Sequence, residues 1–352
     1  MERVVYRIID ANFNRAREAI RVIEEFCRFG LNSTPLYERT KQLRHELSSA
    51  VGLLDARRLI ANRDTIGDVG VGRTVEKQLQ RESLEDCFTA ACKRLTEALR
   101  ALAEVMQTKN SSAAELIEIL RYSAYTLEKD ITLFSDTQGK FKKVRLYVVI
   151  TSNEPSDVLS LTKKCAAGGV DCIQLRAKEI EDEDLYELTL KFMRICKDEG
   201  VIGVINDRID IAVAAGADGV HLGQNDLSIR CARKLQTVPM IVGKSTHSIK
   251  QLRAACEELP TYVGLGSVFA TTTKPSAQAV GLEYIEEATK ILSETGIYGV
   301  AIGGISSKNV EKVLSAGADR IAVCSAVTES GDPAAACGAL KSKIEAYKAE
   351  KG

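Results

Sequence analysis

The second half of this chain repeats one rhythm. Between residues 144 and 325, short β-rich apolar runs alternate eight times with helix-length stretches. The runs are VRLYVVI (144–150), VDCIQLR (170–176), VIGVIND (201–207), DGVHLG (218–223), MIVGKS (240–245), TYVGLGSVF (261–269), YGVAIGG (298–304) and DRIAVCS (319–325). Stretches such as DVLSLTKKCAAGG and SIKQLRAACEEL follow them. Strands that read as continuous apolar runs are covered on both faces, so eight such β-α units predict a closed parallel TIM (β/α)8 barrel. A doubly wound open sheet is the competing arrangement. It usually has fewer strands and a glycine-rich nucleotide loop after the first, but here that loop reads TSNEPSD.

Residues 1 to about 134 carry a helical period instead. In ANFNRAREAIRVIEEFCRF, Phe13, Ala16, Ala19, Ile20, Ile23, Phe26 and Cys27 form an apolar stripe, with Arg17, Arg21, Glu24, Glu25 and Arg28 opposite. The pattern R-x-x-E-A-Φ-R-x-Φ-x-E occurs at Arg15–Glu25 and again at Arg94–Glu104, as expected for paired core helices of an all-α bundle. The polar, glycine-containing SDTQGKFKK (135–143) reads as a linker. The expected domains are therefore an all-α domain over 1–137 and a barrel over 143–352.

Lys plus Arg and Asp plus Glu both number 48, so the totals give no electrostatic support for a nucleic-acid or membrane-surface partner. No run reaches the ~20 apolar residues of a membrane span, and the start, MERVVYRIIDANFNRARE, lacks the apolar core of a signal peptide. The ten cysteines are scattered without a CxxC, which reads as free thiols in a reducing, cytoplasmic setting. Small-molecule substrates are the expected partners, and homo-oligomer formation stays open.

A barrel of this kind places its chemistry at the C-terminal strand ends. Arg176 and Lys178, two apart, point the same way on an extended strand end, and Lys274 comes from another strand. Three cations suit a di- or polyphosphate. Asp207 and Asp226, on adjacent strand ends, suit Mg2+, which keeps waters and bridges phosphate oxygens. The three histidines lack zinc-ligand spacing, and a lone His at a strand end usually has a structural role. Gly303 and Gly304 allow close backbone approach by a second phosphate. No side chain stands out as a nucleophile, so the chemistry falls to a diphosphate leaving group. A phosphate sensor without turnover would need no such leaving-group site.

With QLRAK, ND, HLGQND, GKSTH, GSVFATTTK, AIGGI and GADRIAVCSA in order, residues 144–347 resemble the thiamine-phosphate synthase (thiamine-phosphate pyrophosphorylase) family. The resemblance implies that 4-amino-2-methyl-5-hydroxymethylpyrimidine diphosphate condenses with a thiazole phosphate, giving thiamine phosphate and diphosphate. It implies a dissociative path, in which the pyrimidine amino group supports a carbocation that the thiazole nitrogen captures. Gln174, Leu175, Arg176, Ala177, Lys178, Asn206, Ser245 and Lys274 would bind the pyrimidine diphosphate. Among them Arg176, Lys178, Ser245 and Lys274 would be catalytic. Asp207 and Asp226 would bind Mg2+. Thr271, Thr272, Thr273, Gly304, Cys324 and Ser325 would hold the thiazole phosphate, although period two turns Thr272 away from Thr271 and Thr273. Where the family often has Pro after Gly266, this chain has Ser267, read here as a strand position. A thiazole tautomerase relative shares the barrel but does not need the full diphosphate and metal set.

RIIDANFNRAREAIRVIEEFCRF and RDTIGDVG resemble a helical domain fused ahead of this synthase and associated with phosphorylation of hydroxymethylpyrimidine phosphate, with ATP as co-substrate. Residues of the right type for phosphoryl transfer are Asn14, Arg17, Arg21, Arg63, Asp64, Asp68, Arg94 and Arg100. There is no GxxxxGK[ST] loop, and a non-catalytic dimerisation or regulatory module is the alternative.

Overall fold

The computed structural model describes residues 1–70, 80–271 and 278–351. It divides into two compact units, residues 1–132 and 133–352.

The first unit is helical: α1 (Glu2–Glu25), α2 (Thr34–Val51), α3 (Ala56–Ala61), α4 (Leu84–Met106) and most of α5 (Ser111–Phe141), with a π-helical turn, Phe26–Gly30, extending α1. α1 and α4 pack along one another. The repeated sequence pattern explains why. Its Ala-Φ pairs, Ala19-Ile20 and Ala98-Leu99, are buried, whereas Arg15, Arg21, Arg94 and Arg100 are exposed. The echo is thus a packing pattern, with small and branched residues on one stripe. The one charged side chain of α1 at 0% exposure is Glu24, held by Arg44 Nε at 3.0 Å and Arg21 at 3.2 Å. Removing such a partner leaves a buried charge and costs about 3–5 kcal/mol.

The second unit is the expected closed barrel, β1 to β8 in sequence order. The strands are β1 (Leu146–Thr151), β2 (Cys172–Arg176), β3 (Ile202–Asn206), β4 (Gly219–Leu222), β5 (Ile241–Thr246), β6 (Tyr262–Leu265), β7 (Tyr298–Ile302) and β8 (Ile321–Val323). All pairs are parallel, and Leu146 opposite Ile321 closes the ring. Helices cover the strands, including Asp182–Asp198 after β2 and Gly281–Leu292 after β6. No helix among the described residues is long and apolar enough to cross a membrane.

Two local expectations are corrected. The stretch 135–143 is not an extended linker, because α5 continues to Phe141. Phe134, Thr137, Gln138 and Phe141 are all buried, at helical spacing. Phe141 lies under the barrel, stacked on Tyr262 with centroids 4.6 Å apart, and Gln138 Nε2 donates to Thr261 O at 2.9 Å. Burying one such ring contributes about 1.5–3 kcal/mol. The second correction concerns β6, which ends at Leu265, so Ser267 stands in the loop and its hydroxyl donates to Phe269 O. The loop still tracks β7 through Val268 N–H to Ile302 O and Phe269 N–H to Gly303 O, at 2.9 and 3.0 Å. That irregular pairing is what made GSVF read as strand.

Candidate active site

A cavity of about 620 Å³ opens at the C-terminal end of the barrel. Gln174, Arg176, Lys178, Asn206, Asp207, Asp226 and Ser245 line one part of it, and Thr271, Gly304, Cys324 and Ser325 another. Strand alternation turns Gln174 and Arg176 inward and Leu175, 1% exposed, away. Leu175 and Ala177, expected beside the pyrimidine diphosphate, do not line the cavity. Thr272, Thr273 and Lys274 lie outside the described residues.

Asp207 sits at the end of β3 with φ +62°, a left-handed conformation that Asp tolerates better than most residues. Its N–H donates to His221 O at 2.8 Å, which ties the turn to β4. Lys178 Nζ lies 3.3 Å from Asp207 Oδ2. Asp226 Oδ2 accepts the Gly223 N–H at 2.6 Å, and buried Lys244 donates to Gly223 O at 2.7 Å, bracing this loop. Burial, then a hydrogen bond and charge repulsion from Asp226, push the Asp207 carboxyl above the usual carboxylate range, against the pull of Lys178. Burial would raise Asp226 too, but hydrogen bonds from Asp207 and the Gly223 N–H outweigh it and hold Asp226 low. Burial and the neighbouring charge thus work against holding two carboxylates here, a conflict that a bound cation would relieve.

That donor set is all oxygen and incomplete. Among the described residues no three His, Cys, Asp or Glu side chains group as a metal cage. Two facing carboxylates with open positions fit a hard divalent ion that also takes phosphate oxygens and water.

On the other side, Gly303 and Gly304 have φ of +108° and +63°. A Cβ on Gly303 would lie 1.9 Å from Ser267 Oγ, and one on Gly304 2.6 Å from Ala270 O. Only glycine fits either position, so the backbone itself forms this wall. Asn309 Nδ2 fixes it by donating to Gly304 O at 2.8 Å.

Among the cavity residues given no site role from the sequence are Tyr147 and Tyr262, and His221, which was read as structural. His221 Nε2 is 2.8 Å from Ser245 Oγ, and its Nδ1 is 2.9 Å from Tyr262 Oη. The available signal was register. His221 alternates with Gly219 on the inward side of β4, where a purely structural residue would be apolar.

In the first unit, Arg63 grips Asp10 through two 2.7 Å hydrogen bonds, and Asn14 donates to Asp10 O at 2.9 Å. Arg7 donates to Asp64 O at 3.2 Å. Asn14, Arg63 and Asp64 are thus gathered around α1 with Asp10 and Arg7, neither of which the sequence reading singled out. Asp68 accepts the Gly70 N–H at 2.8 Å, as a local turn. The other expected residues are engaged elsewhere. Arg17 stacks on Phe13, and Arg21 pairs with Glu24 and Glu25. Arg100 pairs with Glu104 at 2.6 Å and lies 3.7 Å from Glu118, and Arg94 is exposed on α4.

Residues 146–327 match the family described as Thiamine monophosphate synthase, and residues 7–130 match the ThiD2 family. A thiamine-phosphate synthase of Nostoc punctiforme is 37% identical over 350 residues, covering 99% of this chain and 97% of that one. One of Rhodopirellula baltica is 38% identical over 332 residues, covering 92% and 88%. The solved thiamine phosphate pyrophosphorylase of Pyrococcus furiosus superposes with a TM-score of 0.54 at 31% identity, covering 60% of this chain and 98% of that chain. The Nostoc relative, by contrast, matches almost the whole of this chain. The chain belongs to the thiamine-phosphate synthase family, in the form that carries a ThiD2-family domain ahead of the barrel.

Proposed function

We propose that the barrel joins a hydroxymethylpyrimidine diphosphate to a thiazole phosphate. The observation that carries this reading is one cavity with two different walls: Lys178, Arg176 and an aspartate pair on one side, and the Gly303-Gly304 backbone on the other. Two phosphorylated reactants held facing one another in this way need no protein nucleophile. The C–O bond to the diphosphate breaks and the thiazole nitrogen lone pair forms the new C–N bond, with no net proton transfer. Arg176 and Lys178 neutralise the departing charge. Asp207 and Asp226 would hold Mg2+, which when bound supplies further neutralisation of the diphosphate. Lys274 and the threonines 271–273 belong to this proposal by resemblance. The test is product balance: the full chain with both substrates and Mg2+ yields thiamine phosphate and diphosphate in equal amounts. Diphosphate release without thiamine phosphate would defeat the reading.

The ThiD2-family match supports a second activity, phosphorylation of the pyrimidine monophosphate by ATP, at the Asp10–Asn14–Arg63–Asp64 cluster. Arg63→Ala in the full chain should abolish diphosphate formation from the monophosphate and ATP while leaving synthase turnover intact. A wild type that never forms that product would make the helical domain a non-catalytic module.

A further inference from the structure

Five side chains from five strands form a continuous hydrogen-bond run across the cavity floor. Gln174 Nε2 donates to Tyr147 Oη at 2.8 Å, and the Tyr147 and Tyr262 hydroxyls are 2.9 Å apart. Tyr262 Oη meets His221 Nδ1 at 2.9 Å, and His221 Nε2 meets Ser245 Oγ at 2.8 Å. Both ends, Gln174 and Ser245, line the cavity. A neutral imidazole donates from one nitrogen and accepts at the other, so the run has a direction. With Gln174 donating, each hydroxyl passes its hydrogen along, His221 Nε2–H donates to Ser245, and the Ser245 hydrogen is left to donate into the cavity.

Two further observations indicate that this run is built rather than incidental. Gly243 faces the junction: a Cβ there would lie 2.2 Å from Tyr262 Cζ and 2.6 Å from His221 Nδ1. Beneath it, fully buried Phe141 stacks on Tyr262 with the ring planes only 3° apart, without lining the cavity. The Tyr262 ring is thus held on one face by Phe141, while His221 stacks with it at 5.5 Å.

We propose that Phe141, Tyr147, Tyr262 and His221 are positioning residues for the synthase reaction. The phenol–imidazole run aims the Ser245 hydroxyl and the Gln174 amide at the pyrimidine diphosphate, and Phe141, at the end of α5, keeps Tyr262 in line. This rests on the synthase reading above. It makes the last turns of α5 part of the active-site architecture.

The test is steady-state kinetics on the full chain, with thermal melts, for wild type, Tyr262→Phe, Phe141→Leu and the double variant. Tyr262→Phe removes one hydroxyl and leaves the ring, so folding is kept. Its kcat should fall about tenfold, the scale of one misdirected hydrogen bond, with KM for each substrate within about twofold. Phe141→Leu should lower kcat in the same sense, and the double variant should be no slower than Tyr262→Phe alone, because both act through one ring. Unchanged kcat in Tyr262→Phe overturns the proposal, as do kcat losses that multiply in the double variant. If Phe141→Leu fails to fold, Tyr262→Phe and Tyr147→Phe carry the test in the same way. An inactive wild type would refute the synthase reading itself, and this proposal with it.

Discussion

Gly243→Ala puts one methyl group where the barrel interior has no room. The added carbon would lie 2.2 Å from Tyr262 Cζ, 2.4 Å from its Oη and 2.6 Å from His221 Nδ1. Ordinary carbon contacts begin near 3.5 Å, so the phenol must retreat by roughly 1.3 Å. Phe141 blocks that retreat, its ring 4.6 Å away and nearly parallel. Overpacking of this kind costs about 1–3 kcal/mol. Displacing Tyr262 also breaks its hydrogen bonds to Tyr147 and His221, at about 1 kcal/mol each. The expected destabilisation is about 3–5 kcal/mol, or roughly a 10 °C fall in Tm for a domain of this size. Circular dichroism melts with synthase turnover on the same samples provide the assay. Gly331→Ala is the control, since an added Cβ there meets nothing within 4 Å. A Gly243→Ala protein melting within about 2 °C of wild type, with full turnover, would refute the packing described for the cavity floor.

Gly139 is exposed within α5, and a Cβ there has open space. Gly139→Ala should therefore stabilise the second unit by about 0.5–1 kcal/mol in urea unfolding, whereas a glycine needed by a flexible linker would show no gain. Alkaline pH offers a separate check. Burial raises Tyr147 and Tyr262 well above the ordinary phenol value. A raised folded pKa means their contribution is complete below the unfolded value of about 10 and is lost as pH climbs through the folded values. Urea midpoints should be level with respect to these groups up to about pH 10 and then fall; the double variant Tyr147→Phe/Tyr262→Phe should fall less steeply.

The barrel was legible because each strand is a near-continuous apolar run, and the polar residues that end those runs fall at one mouth. Period-two alternation put Arg176 and Lys178 on one side of a strand end, and the resemblance added Gln174. The same logic failed for Tyr147 and Tyr262. A tyrosine inside an apolar run looks like packing, and its hydroxyl partners lie on strands far away in sequence. The room for the Tyr262 ring comes from its strand neighbour Gly243, which the folded structure reveals. SDTQGKFKK misled through composition: its glycine and polar residues suggested a linker, yet Phe134, Thr137, Gln138 and Phe141 carry a helical stripe. In the first unit, the repeated arginines followed the packing of α1 and α4. The local cluster depends on Asp10, buried in α1, which lies within the RIIDANFNRARE motif but was not singled out because an acid among helical residues reads as an ordinary solvated position.

That the barrel works on a metal-bound diphosphate is tested most directly by synthase turnover as a function of Mg2+, in wild type and in Asp207→Asn. Asparagine tolerates the left-handed backbone at 207 and removes only the charge. A site built on Asp207 and Asp226 predicts at least about a tenfold rise in the Mg2+ concentration for half-maximal turnover, with a lower maximal rate. Superimposable Mg2+ curves for the two proteins would contradict it.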